Sequence, residues 1–114
     1  MHIVNPQIDE YIYDILPPCH EILNEMHNYA RKNKFPIVGP QVGRFLAQLV
    51  LISGAKNIFE MGSGFGYSSF WFAKFLKPGG KITCTDGDSK NKERALKYLE
   101  RGGYNDFVEF HIGD

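Results

Sequence analysis

Residues 57–69 constrain the fold of this chain more than any other stretch, because three structural signals follow one another there. Ile58, Phe59 and Met61 form a short apolar run that predicts a buried strand. The glycines that follow allow positive φ angles and a close approach of the backbone to a ligand. Two serines then mark the start of a helix. A strand, a glycine-rich turn and a helix in this order are typical of the ligand crevice in a parallel α/β sheet.

Two ligand classes fit such a turn, and an ordinary tight strand–helix connection is a third interpretation. A dinucleotide site has the spacing G-x-G-x-x-G, in which the third glycine lets the helix pack closely on the strand. Tyr67 occupies that third position here and is bulky. An S-adenosylmethionine site has the form E-x-G-x-G-x-G, which Glu60, Gly62, Gly64 and Gly66 fit.

The rest of the chain predicts an α/β fold. Apolar spacing predicts five helices, at about 7–16, 19–33, 41–53, 67–76 and 90–101, the last capped by Ser89. It predicts three strands, at 57–61, 81–85 and 107–112, and a loop at 35–40. Five side chains of the helix at 41–53 are expected to face the core, namely those of Val42, Phe45, Leu46, Leu49 and Val50. The βαβαβ order after residue 55 predicts the first three strands of a Rossmann-like, doubly wound parallel sheet. We expect an N-terminal helical segment at 1–54 and an α/β segment at 55–114.

Acidic side chains stand at the tips of all three predicted strands. Glu60 ends the first strand, Asp86 follows Gly62 by 24 residues at the second, and Asp114 ends the third. A carboxylate at the second tip can accept hydrogen bonds from ribose hydroxyls. A capping role is the alternative, for which Asp88 is the better candidate. An acidic rim suits a cationic sulfonium ligand and repels a pyrophosphate, which favours S-adenosylmethionine over NAD.

Composition argues against several function classes. The 114 residues carry 13 basic and 13 acidic side chains, and this balance argues against nucleic acid as the main partner. Cys19 and Cys84 show neither a metal-site nor a disulfide spacing, so a reducing cytoplasm is the expected location. The N-terminus lacks the features of a signal peptide, and the longest apolar stretch, 45–52, is too short to span a bilayer. No membrane partner is expected.

Four motifs together resemble a known family. They are Phe35–Pro40, Gly43 at the head of the third helix, Phe59–Ser68 and Thr85–Asp88. In combination they resemble the class I S-adenosylmethionine-dependent O-methyltransferases, with the caffeoyl-CoA and catechol type as the closest likeness. The resemblance covers nearly the whole chain, including the leading helices.

The resemblance implies a role for each matching residue. By it, Glu60 holds the methionine end of the cofactor, Ser68 hydrogen-bonds its carboxylate, and Asp86 binds the ribose. Relatives often carry Glu at the ribose position, whose side chain reaches further than that of Asp86. The backbone at 62–63 borders the cofactor. The expected cofactor-binding set is Val38, Glu60, Gly62, Ser63, Gly64, Gly66, Ser68, Asp86 and Asp114.

The family pattern continues well beyond residue 114, and the catalytic base and the carboxylates for a divalent metal lie in that later part. We therefore expect a truncated chain that carries the cofactor-binding half of an enzyme, in which residues 55–114 form the first half of the S-adenosylmethionine-binding Rossmann-like domain. No catalytic or metal-binding residue is identified in it. The implied reaction transfers a methyl group from sulfur to a small-molecule hydroxyl. The alternatives are a non-catalytic S-adenosylmethionine-binding or interaction module and, less favoured, a fragment of an NAD-dependent oxidoreductase. An open edge at 57–61 would also favour a homo-oligomer.

Overall fold

The computed structural model of the chain describes residues 3–113. The elements are α1 (Pro6–Ile15), α2 (Glu21–Asn33), α3 (Gly39–Ser53), β1 (Asn57–Met61), α4 (Tyr67–Phe75), β2 (Lys81–Asp86), α5 (Ser89–Gly102), a 3₁₀ turn (Asn105–Phe107) and β3 (Val108–Ile112). Every predicted helix and strand is present, which confirms the α/β class. None of the helices in these residues is long and apolar enough to cross a membrane.

The three strands form one parallel sheet in the order β1-β2-β3. In this register Glu60 lies opposite Cys84, and Met61 lies opposite Thr85. Asp86 follows at the end of β2, where Gly113 N–H donates to its carbonyl at 3.0 Å. The carboxyl ends of β1 and β2 therefore meet at one edge of the sheet, directly below the glycine turn.

The core lies between one face of the sheet and the helices. Side chains on this face of β2 are fully buried, because α4 and α5 pack against it. Helix α2 packs against α4 and α5 from outside. The largest fully buried side chains are Leu23, Met26, Phe65, Phe70, Ile82, Cys84 and Leu99. The aromatic α4 thus forms the centre of the molecule.

The prediction of a buried first strand is wrong for one of its faces. Phe59 is 63% exposed and Met61 is 79% exposed. Successive side chains of a strand point to opposite faces of the sheet. The helices of the described residues cover only the face that carries Ile58 and Glu60, so the other face of β1 is open.

The predicted inward face of α3 is also wrong. Of the five residues expected to face inward, only Val50 is buried, whereas Val42, Phe45 and Leu49 are exposed and Leu46 is half-buried. The side of α3 that faces α4 carries small residues instead. It consists of Pro40, Gly43, Ala47 and Val50. Small residues face inward because α3 and α4 lie very close together, so helical periodicity alone points to the wrong side.

Two predicted boundaries are corrected by the caps. Gly39 and Pro40 belong to α3 rather than to the preceding loop, since proline lacks an N–H and fits the first turn of a helix. Helix α5 is capped by Asp88 and not by Ser89, which is its first residue. Asp88 has an extended backbone, and its Oδ1 accepts a hydrogen bond from Lys90 N–H at 2.8 Å.

Candidate functional site

A pocket of about 260 Å³ lies at the carboxyl end of β1. One wall is the loop between α2 and α3, and the other is the glycine turn with the first residues of α4. The lining residues are Phe35, Pro36, Ile37, Val38, Gly62, Ser63, Phe65, Tyr67 and Ser68. The pocket therefore combines an apolar loop with the polar start of a helix.

The three glycines of the turn serve different purposes. All have positive φ, with 70° at Gly62, 55° at Gly64 and 90° at Gly66. A Cβ on Gly64 would lie 3.0 Å from the Phe35 ring, and one on Gly66 would lie 3.0 Å from the Cβ of Ala95. Gly62 alone lines the pocket, so the other two are required by packing around it rather than by direct contact with the cavity.

Phe65 anchors the turn to the rest of the molecule. Its ring is buried and meets Tyr29 and Phe35 edge-on, with ring centroids at 5.1 and 4.9 Å. Tyr98 of α5 lies further away, at 6.1 Å. Such edge-to-face pairs are favourable beyond their buried area. The turn is therefore fixed against α2, the α2–α3 loop and α5, which pre-forms one wall of the pocket.

The start of α4 presents free backbone donors to this pocket. Gly66 is the N-cap and has no side chain to accept from the first-turn N–H groups. Ser68 lies in that turn and lines the pocket. The helix dipole adds partial positive charge at the same end, so the site favours a carboxylate or another anion.

Glu60 lies behind the turn, among hydroxyl groups. Its Oε1 accepts a hydrogen bond from the Ser69 hydroxyl at 2.9 Å. Burial raises the pKa of the Glu60 carboxyl, and the hydrogen bond from the Ser69 hydroxyl opposes that rise. The Ser63 hydroxyl donates to the Glu60 carbonyl at 3.2 Å, which ties the turn to the strand below it.

Asp86 joins the turn to β2 and α5. Its Oδ1 accepts from Gly64 N–H at 3.2 Å, while Oδ2 accepts from Asp88 N–H at 3.1 Å and from the Asn91 amide at 2.9 Å. A carboxylate has about four acceptor positions. Three of those positions are therefore used by the protein, and Oδ1 retains the capacity for a further donor.

Tyr67 forms the inner wall of the pocket and is almost fully buried. Burial raises the pKa of its phenol to about 12. The phenol therefore stays protonated at neutral pH. Sequence reasoning treated Tyr67 only as too bulky for a dinucleotide turn and missed its place in the pocket wall.

The structure divides the predicted site residues into groups. Val38, Gly62, Ser63 and Ser68 line the pocket, whereas the side chains of Glu60 and Asp86 flank the turn behind it. Gly64 and Gly66 pack against neighbouring elements, and Asp114 lies outside the described residues. Among residues 3–113, no group of three His, Cys, Asp or Glu side chains is arranged to hold a metal ion.

The pocket residues that sequence reasoning left unassigned are mostly apolar. They are Phe35, Pro36, Ile37, Phe65 and Tyr67. One signal was present for Phe65, since it is the single large apolar residue between the glycines of the turn. The loop residues are part of the motif Phe35–Pro40, but only the folded chain shows that they lie opposite the turn.

Comparison with known proteins gives consistent matches. A family profile described as O-methyltransferase matches residues 14–114. A catechol O-methyltransferase of Niastella koreensis is 32% identical over 108 residues, which cover 93% of this chain and 49% of that protein. Caffeoyl-CoA O-methyltransferase 2 of Petunia hybrida is also 32% identical, with 91% of this chain and 45% of that protein covered. The chain spans about half the length of these relatives.

Solved structures show the same arrangement. A methyltransferase from Geobacter sulfurreducens superposes with a TM-score of 0.90 at 33% identity, and 99% of this chain matches 60% of that one. An O-methyltransferase from Bacillus cereus, solved in complex with SAH, superposes with a TM-score of 0.83 at 35% identity. In that comparison 95% of this chain covers 50% of the other. The fold is thus that of a Rossmann-like methyltransferase.

Proposed function

The chain belongs to the O-methyltransferase family, and we propose that it forms the S-adenosylmethionine-binding part of an enzyme that methylates a hydroxyl group of a small molecule. One observation carries this proposal. The start of α4 lines the pocket with free N–H groups, and the carboxylates of Glu60 and Asp86 flank the glycine turn that forms its wall. A ligand with both an anionic and a cationic group finds a partner for each charge there.

The chemistry of the pocket fits the parts of S-adenosylmethionine. The start of α4 with Ser68 would hold the carboxylate of the methionine end, and Glu60 would attract its ammonium group. Asp86 would accept from the ribose through its remaining acceptor capacity. Val38, with the neighbouring apolar loop, would contact the less polar parts of the ligand.

When bound, the cofactor would supply a methyl group on a positively charged sulfur, which would leave as a neutral thioether when a hydroxyl oxygen takes the methyl group and gives up its proton. The residues of this chain bind and orient the cofactor, and proximity of correctly aligned reactants can account for a large part of an enzymatic rate. The names of the relatives, catechol and caffeoyl-CoA O-methyltransferase, support a small hydroxyl compound as the methyl acceptor.

Titration calorimetry on the full-length protein tests the cofactor assignment. We expect heat of binding with S-adenosylmethionine and S-adenosylhomocysteine and none with NAD. Ser68→Ala should weaken both interactions, whereas Ser53→Ala, an exposed serine at the far end of α3, serves as the matched control and should bind as the wild type does. Binding of NAD without binding of S-adenosylmethionine would overturn the proposal.

A further inference from the structure

Three polar side chains meet in the interior behind the glycine turn. Glu60 comes from β1, Cys84 from the opposite position of β2, and Ser69 from the first turn of α4. The Ser69 hydroxyl lies 2.9 Å from Glu60 Oε1 and 3.2 Å from Cys84 Sγ. Ser69 and Cys84 are fully buried, and neither lines the pocket.

The directions of these hydrogen bonds follow from counting hydrogens. An ionised carboxylate can only accept, so Ser69 donates its single hydroxyl hydrogen to Glu60. The contact between Ser69 and Cys84 then requires the thiol to be the donor, because the hydroxyl has no second hydrogen to give. The chain runs from the Cys84 thiol to the Ser69 hydroxyl and on to the Glu60 carboxylate.

Burial makes this arrangement costly unless it is complete. A buried hydroxyl without a partner destabilises a protein, whereas an alanine at the same place would carry no such cost. The face of α4 around Ser69 is otherwise apolar, with Phe70 and Ala73 buried beside it. A serine and a cysteine at these positions are therefore explained by the carboxylate that they serve.

We propose that Ser69 and Cys84 are positioning residues that hold the Glu60 carboxylate, ionised and in a fixed orientation, for the cofactor. This inference rests on the proposed function, because Glu60 is assigned there to the ammonium group of the methionine end. The hydrogen bond from Ser69 is made to Glu60 Oε1, so the second carboxylate oxygen remains available to the ligand.

The surroundings of Glu60 determine what pH dependence to expect. The titratable group that faces it from β2 is the Cys84 thiol, whose pKa burial raises. The turn and α4 contribute the hydroxyls of Ser63, Ser68 and Ser69. Because Ser69 donates to the charged form of Glu60, its removal should raise the pKa of that carboxyl further.

The test compares Ser69→Ala with the pair Cys84→Ser and Cys84→Ala in the full-length protein. One readout is the affinity for S-adenosylhomocysteine between pH 5 and 8, by calorimetry. The other is the titration of the Glu60 carboxyl carbon by NMR, with Glu60→Gln to assign the signal. Because hydrogen bonds to charged groups are strong, Ser69→Ala should weaken binding about 10-fold to 100-fold at neutral pH.

We expect Ser69→Ala to raise the Glu60 pKa and to move the acid loss of binding to higher pH. Cys84→Ser keeps a donor and should resemble the wild type, while Cys84→Ala should shift both readouts in the same direction as Ser69→Ala. A purely structural role would lower the thermal stability and leave the Glu60 titration unchanged, which would overturn the inference. If Ser69→Ala does not fold, the two Cys84 variants test the inference by the same two measurements, the affinity and the Glu60 titration.

The experiment distinguishes a failure of the proposed function from a failure of the positioning inference. A wild-type protein that binds no S-adenosylhomocysteine overturns the proposed function, and with it the link between this hydrogen-bond chain and the cofactor. The positioning inference alone is overturned if the wild type binds normally and Ser69→Ala changes neither the affinity nor the Glu60 titration.

Discussion

Asp86 has the most specific predicted effect of any single residue at the pocket. We expect Asp86→Ala to lower cofactor affinity, because it removes a carboxylate that the structure already orients through Gly64 and Asn91. Hydrogen bonds to charged groups contribute about 1.5–3 kcal/mol, so the loss should be roughly 10-fold to 100-fold. Calorimetric titration of the full-length variant with S-adenosylhomocysteine measures it.

Asp88→Ala is the matched control, since it removes a carboxylate two residues away. Asp88 caps α5 through Lys90 N–H, so its loss should lower stability by about 1 kcal/mol while affinity stays near that of the wild type. If Asp86→Ala bound normally and Asp88→Ala did not, the ribose site would lie two residues later than we place it.

At the level of residues, the sequence predicts proximity only where the chemistry leaves a local signature. Glu60 and Asp86 could be singled out because acidic residues at the ends of neighbouring parallel strands must come close together. The chain Cys84–Ser69–Glu60 could not, because it joins three elements and depends on which faces they turn to one another. The three hydrogen bonds to Asp86, which occupy most of the acceptor positions of its carboxylate, could not be predicted either.

Among the elements, order was predictable but orientation was not. The approximate positions of helices and strands follow from apolar periodicity, and the structure confirms them. Apolar periodicity does not predict which side of α3 or β1 is buried, because both elements are apolar on two sides. Which side is covered depends on the neighbouring elements, and for α3 that neighbour is Trp71 of α4.

The contact between α3 and α4 gives a prediction with an unusual sign. In a helix interior, glycine to alanine normally stabilises a protein by up to about 1 kcal/mol. A Cβ on Gly43, however, would lie only 2.2 Å from Trp71 Nε1. We expect Gly43→Ala to destabilise the full-length protein by about 1–3 kcal/mol, because the buried indole cannot move away without disturbing the core.

Chemical denaturation monitored by circular dichroism measures this change. Gln48→Ala is a suitable control because Gln48 is exposed on the same helix, and such surface changes usually stay within about 0.5 kcal/mol. A Gly43→Ala variant as stable as the wild type would show that α3 and α4 are less tightly packed than the structure indicates.

At the scale of the whole molecule, the helices within residues 3–113 cover one face of the sheet and leave the other open. The face with Ile82 and Cys84 is buried under helices, while the opposite face carries Phe59 and Met61 in the open. Within residues 3–113, β1 pairs with β2 and with no strand on its other side. The pocket depends on the covered face alone, since every element that forms it lies on that side or at the strand ends.

An open strand edge beside an apolar face favours association with another chain. We therefore expect the isolated polypeptide 1–114 to self-associate or to be only marginally folded, with weak cofactor affinity. Sedimentation velocity over a range of concentrations, combined with residue-resolved amide exchange, measures both properties. Phe59→Thr with Met61→Thr should reduce association, because the open face loses its apolar side chains. A stable monomer whose 57–61 amides are all strongly protected would contradict this expectation, since the edge would then be covered from within the chain.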